Sequence, residues 1–185
     1  MFIFSLVVVF PYASSVLVPT SDCGLQSSTL ISRIIGGSSA SYGQIPFQAL
    51  ITESKLGLLT YRKCGGVILN ERWILTAAHC QRGWFGTLRV VLGQSEDIKG
   101  AEGTKVVREV ADVIVHPEFD RARLLNDVAL IKLKETVQFD ANIQPICLPE
   151  TDEDFTGEMA VVSGWGTTRF GKLFVDRCNR KEKLV

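Results

Sequence analysis

Downstream of Ile34-Ile35-Gly36-Gly37, short apolar runs alternate with Gly, Asn, Asp and Pro clusters, and no long segment repeats with the helical 3.6-residue period. Runs rich in Val, Ile and Leu predict strands at Phe47–Thr52, Cys64–Asn70, Trp73–Thr76, Leu88–Leu92, Lys105–His116, Val128–Leu133 and Met159–Ser163. A single helical turn is predicted at Ala77–Cys80. Many short strands with turn residues between them indicate antiparallel all-β structure, a barrel or a sandwich.

The N-terminus has a different pattern. Its first 21 residues hold no Asp, Glu, Lys or Arg, and Phe2 to Phe10 is an apolar run broken only by Ser5. Pro11 and the small residues Ala13, Ser14 and Ser15 follow, which is the order of a secretory signal with its cleavage region. A membrane span needs about 20 apolar residues, and Pro11 and Pro19 interrupt this one. The reading is a removed signal peptide over residues 1–18, a secreted extracellular product and no membrane partner.

Composition narrows the picture further. The 185 residues suit one domain, and 46% hydrophobic with 22% charged residues is globular rather than disordered. Twenty basic residues balance twenty acidic ones, so no cationic excess exists to hold nucleic acid. Five cysteines in an oxidising compartment leave at least one without an intrachain partner. The two histidines have no metal-ligand spacing, so neither a metal nor a cofactor is expected.

Taken singly, His79 after a strand and Asp127 before one read as a structural histidine and a turn aspartate. Their surroundings change this. Arg33-Ile34-Ile35-Gly36-Gly37, Cys64-Gly65-Gly66-Val67-Ile68-Leu69, Trp73-Ile74-Leu75-Thr76-Ala77-Ala78-His79-Cys80 and Asn126-Asp127-Val128-Ala129-Leu130-Ile131-Lys132-Leu133 follow one another along the chain. Gln144-Pro145-Ile146-Cys147-Leu148-Pro149 and Ser163-Gly164-Trp165-Gly166-Thr167-Thr168 complete the series. In content and order the set resembles the trypsin-like, chymotrypsin-fold serine proteases.

The resemblance implies a double β-barrel whose active site uses His79 as general base and Asp127 as the carboxylate that orients it. It implies a short propeptide over 19–33 and a peptidase domain over 34–185, with activation by cleavage between Arg33 and Ile34. It pairs Cys64 with Cys80 and Cys23 with Cys147, leaving Cys178 unpaired. The implied partners are protein or peptide substrates or inhibitors, and a protease that cuts after Arg33. His116, before Pro117, reads as structural.

The chain departs from the family at the nucleophile. The family carries its serine in a Gly-Asp-Ser-Gly-Gly block downstream of the aspartate, whereas Ser163 is the sole serine here after Asp127. Gly93-Gln94-Ser95 lies upstream and is followed by Glu96. The first barrel therefore reads as nearly complete and the second as largely missing, with oxyanion hole and specificity pocket absent. The expected inward face of the first barrel would then lie bare, and the basic end Arg180-Lys181-Glu182-Lys183 reads as a solvated tail. The expected function is a secreted trypsin-like endopeptidase homologue, inactive as this chain. The alternatives are a non-catalytic binding or decoy protein, or a splice or gene-model fragment.

Overall fold

A computed structural model describes residues 23–24, 38–39, 43–55, 59–81, 86–93, 105–149, 155–157, 159–165 and 179–184. Arg33, Ile34, Ser95, Cys178 and the whole of the expected signal segment lie outside them.

The described chain is almost all strand: β1 (Ser38–Ser39), β2 (Gln48–Lys55), β3 (Leu59–Asn70), β4 (Trp73–Thr76), β5 (Thr87–Leu92), β6 (Val106–Val115), β7 (Ala129–Leu133), β8 (Met159–Gly164) and β9 (Asn179–Leu184). A 3-10 turn, Ala78–Gln81, follows β4 one residue later than the sequence predicts. The strand expectations hold for β2 to β8 with ends moved by a few residues; β3 begins at Leu59, ahead of the expected Cys64.

β2 to β7 form a closed barrel in the order β2-β3-β4-β7-β6-β5, every neighbour antiparallel. Alternation places Ala49 and Ile51 of β2, Val90 and Leu92 of β5, and Ile131 and Leu133 of β7 inside, with Ile68 and Ile74, all at 2% exposure or less. Val137 and Ile143 plug the same core. Gly66 is required where β3 meets β4, because a Cβ there would stand 2.7 Å from the Leu75 carbonyl oxygen.

Closure packs the barrel's interior against itself, which leaves the outer residues Leu50 and Val91 of β2 and β5 to be covered from outside. Trp165, just beyond β8, buries them together with Ile45. The basic end is no simple tail, since β9 forms an antiparallel ladder with β8 from Gly164↔Asn179 to Met159↔Leu184. A charged run without apolar alternation conceals the strand in the sequence, and β9 sits between β8 and β1 in a three-stranded sheet. No helix of the described residues is long and apolar enough to cross a membrane.

Candidate active site

Register brings His79 and Asp127 together. β4 and β7 run antiparallel with Thr76 opposite Ala129, so the chain leaving β4 and the chain entering β7 meet at one barrel end. His79 lies three residues past Thr76, and Asp127 lies two before Ala129. A separation of 48 residues becomes direct contact.

The histidine side is fixed by covalent and hydrogen bonds. Thr76 Oγ1 donates to the Gly65 carbonyl at 2.8 Å, Cys80 N donates to Ala77 O at 3.2 Å, and Cys80 is bridged to Cys64 across a Cα separation of 6.1 Å. The turn carrying His79 is thus tied to β3 on either side of the imidazole. Cys23 and Cys147 form a second disulfide, with Gly24 N donating to Pro145 O nearby.

The aspartate side is shaped by the β6–β7 connection. Asp120 and Leu125 exchange backbone hydrogen bonds, Asn126 Nδ2 donates to Glu118 O, and Val128 N donates to Asn126 O at 2.8 Å. Leu124 and Asn126 take left-handed backbone at φ 55° and 54°, among the described residues the two non-glycine positions that do so. Asn tolerates this conformation; Leu does so at a cost of about 1–2 kcal/mol. The tight path turns the Asp127 carboxylate back onto the histidine turn.

Asp127 accepts twice. Oδ2 takes His79 Nδ1 at 2.6 Å and Oδ1 takes the His79 backbone N–H at 2.7 Å. A carboxylate can only accept, so the imidazole carries its proton on Nδ1 and Nε2 keeps the lone pair. The side chains are 38% and 21% exposed respectively, so the imidazole is more open to solvent than the carboxylate that supports it. This arrangement can take a proton at Nε2 and stabilise the resulting imidazolium.

Cys80 Sγ lies 3.7 Å from Nε2, and that sulfur is committed to the bridge with Cys64. Cys64, His79 and Cys80 place three potential ligand atoms within 4.8 Å of one another. Metal binding needs free thiolates, and the disulfide consumes both.

Ser163 is not near the histidine in function. It is 2% exposed, and its hydroxyl donates to Gln48 Oε1 at 2.7 Å while Gln48 Nε2 donates to Gly66 O. That chain of bonds joins β8 to β2 and β3, so the hydroxyl is structural. His116 is structural too: its Nδ1 accepts from Glu118 N and its own N–H donates to Val128 O. Sequence reasoning missed the Gln48–Ser163 junction and the strained Leu124, for which no local signal exists; Asn126 carried the signal of a residue tolerant of left-handed backbone.

Comparison with known proteins bears on the family and the fold. The sequence model of the Trypsin family matches residues 34–182. Over 156 residues the chain is 45% identical to "Serine protease filzig" of Drosophila melanogaster, covering 83% of this chain and 9% of that protein. It is 35% identical over 150 residues to "Serine proteinase stubble" of Drosophila melanogaster, covering 79% and 19%. It is 36% identical over 142 residues to "Ovochymase-2" of Mus musculus, covering 75% and 22%. The chain thus spans less than a quarter of the length of these relatives. A solved structure described as "Structure of GrC" superposes with a TM-score of 0.71 at 29% identity, covering 80% of this chain and 64% of that one.

Proposed function

The chain belongs to the trypsin family of serine proteases, and on that footing we propose that it is a secreted trypsin-like endopeptidase homologue, made as a zymogen and cleaved between Arg33 and Ile34. His79 is its general base and Asp127 the carboxylate that sets the tautomer and supports the charged form. The observation that carries the reading is the 2.6 Å bond from Nδ1 to Oδ2, which leaves Nε2 as the basic nitrogen. Its partners are protein or peptide substrates or inhibitors, and a protease selective for basic residues acts on Arg33.

Acyl transfer also needs a nucleophile at Nε2 and donors for the oxyanion. In this sequence the sole serine after Asp127 is Ser163, and its hydroxyl is engaged by Gln48. This polypeptide by itself is therefore read as a base and its support without peptidase activity.

The test uses purified chain cut after Arg33, an arginyl amide substrate and an organophosphonate probe for activated serines. No turnover above background and no label are expected. Turnover or labelling abolished by His79→Ala would overturn the inactivity. The base assignment is tested separately by proton NMR, where the Nδ1 proton shared with a carboxylate gives a strongly deshielded signal. That signal should vanish in Asp127→Ala, and its absence from the unmodified chain would sink the assignment.

A further inference from the structure

The connection between β6 and β7 does more than deliver Asp127. Residues 121–126 are all exposed, and they include two arginines, Arg121 and Arg123. The two peptide bonds that follow these arginines are held differently. Asp120 Oδ1 accepts from Ala122 N at 2.8 Å and from Arg123 N at 3.2 Å, which engages the Arg121–Ala122 amide in a turn. The amide that follows Arg123, Leu124 N, makes no hydrogen bond among the described residues. Arg123 itself is 77% exposed in its side chain, with Asp120 at 3.9 Å as its ion-pair partner. Leu124 is 55% exposed and left-handed, so a cut before it releases strain that the intact chain must hold.

We propose that the Arg123–Leu124 bond is a regulatory cleavage site for endopeptidases that select a basic residue before the scissile bond, and that cutting it uncouples Asp127 from His79 without dismantling the barrel. Water adds across the amide, leaving a carboxylate on Arg123 and an ammonium on Leu124. The ammonium arises three residues from Asp127 and offers its carboxylate a second cation. The reciprocal Asp120–Leu125 hydrogen bonds, which hold the loop closed, then join two separate chain ends.

The barrel survives because neither Arg123 nor Leu124 lies in a strand, and β7 keeps its ladders to β4 and β6. The pieces also stay covalently joined. Cys23 precedes the cut and Cys147 follows it, and the two are bridged. The product is thus a nicked, tethered barrel whose base has lost its oriented support. The inference concerns this chain as a substrate and holds whether or not it has peptidase activity of its own.

The experiment is limited proteolysis of the full chain bearing Arg33→Gln, with a trace of a trypsin-class endopeptidase, followed by peptide mapping and proton NMR. The first cut within residues 43–149 is expected to expose Leu124 as a new N-terminus. The nicked product should run as one species until reduced and as two afterwards. Its deshielded Nδ1 proton signal should be lost while the methyl shifts of Ile74 and Ile131 persist. Adding Arg123→Gln should slow the nick more than about tenfold, because the charge that selects the site is gone. A first cut at any other lysine or arginine in that span, Arg121 included, overturns the site. Survival of the Nδ1 signal after the nick overturns the uncoupling.

Discussion

The barrel and the three-stranded sheet are made of similar strands and differ in closure. In the barrel, each of β2 to β7 is hydrogen-bonded on both sides, and its interior is filled by side chains such as Ile51, Ile68, Ile74 and Ile131, all fully buried. In the sheet, β1 has two residues, and β8 pairs with β9 alone among the described residues. The His79–Asp127 pair depends on the closed region only, since both residues are placed by the β4–β7 register. The hydrogen-bonded His79–Asp127 pair is therefore assembled without help from the open sheet. The sheet contributes instead a lid for the outer face of β2, through Trp165 and the Ser163–Gln48 bond.

The sharpest way to break this comparison is a matched truncation. Ile131→Ala in the barrel core should cost about 4 kcal/mol through lost transfer energy and a cavity. Val162→Ala in half-buried β8 should cost less than about 2 kcal/mol. Equal losses in denaturant titrations would mean that both regions unfold as one equally packed body.

Removing the Cys64–Cys80 bridge with a double serine substitution comes next. A bridge spanning 16 residues should contribute about 3 kcal/mol, read as a fall in the denaturation midpoint of the barrel. The deshielded His79 signal should weaken at the same time, because the turn is released on one side. A weakened signal with no loss of stability would separate positioning from folding.

Ser163→Ala probes the junction. It leaves Gln48 Oε1 buried without its donor and should cost about 1–2 kcal/mol, detected as faster hydrogen exchange in β8 with β7 unchanged. Exchange that rises equally in β7 would show the barrel to be dependent on the sheet.

The smallest effect is a titration on the barrel surface. Glu109 accepts a hydrogen bond from Lys134 Nζ at 2.9 Å, and that bond and the lysine's charge, helped by Arg89, hold its carboxyl below the ordinary value. A depressed folded-state value means the contribution is present above the ordinary carboxylate range and is lost as pH falls through the lowered one. The melting-temperature advantage of the native chain over Glu109→Gln should therefore shrink on acidification below about pH 4. An advantage independent of pH would assign the effect to packing.

Much of the barrel was legible along the chain because its strands obey period two, as Trp73–Thr76 and Ala129–Leu133 do, and because turn residues such as Asn70 and Gly93 mark strand ends. The Cys64–Cys80 spacing around the histidine turn was legible too. β9 was not legible: Asn-Arg-Lys-Glu-Lys-Leu has no apolar alternation, and only pairing with β8 makes it a strand. Buried Ser163 and Gln48 were hidden for a related reason, since a polar residue declares its partner only when both are placed.

The sequence by itself determined the family and the all-β character, and it singled out His79 and Asp127 as the pair proposed for base and carboxylate, because ordered motifs and short-range periodicity are properties of neighbouring residues. The tertiary structure decided the rest. It alone placed His79 within 2.6 Å of Asp127 through the register of two strands, closed the barrel's inner face on itself, and held Leu124 in a left-handed turn. These are long-range or strained arrangements, and they exist only once the ladder between distant segments has formed and its energy exceeds the cost of the local conformation.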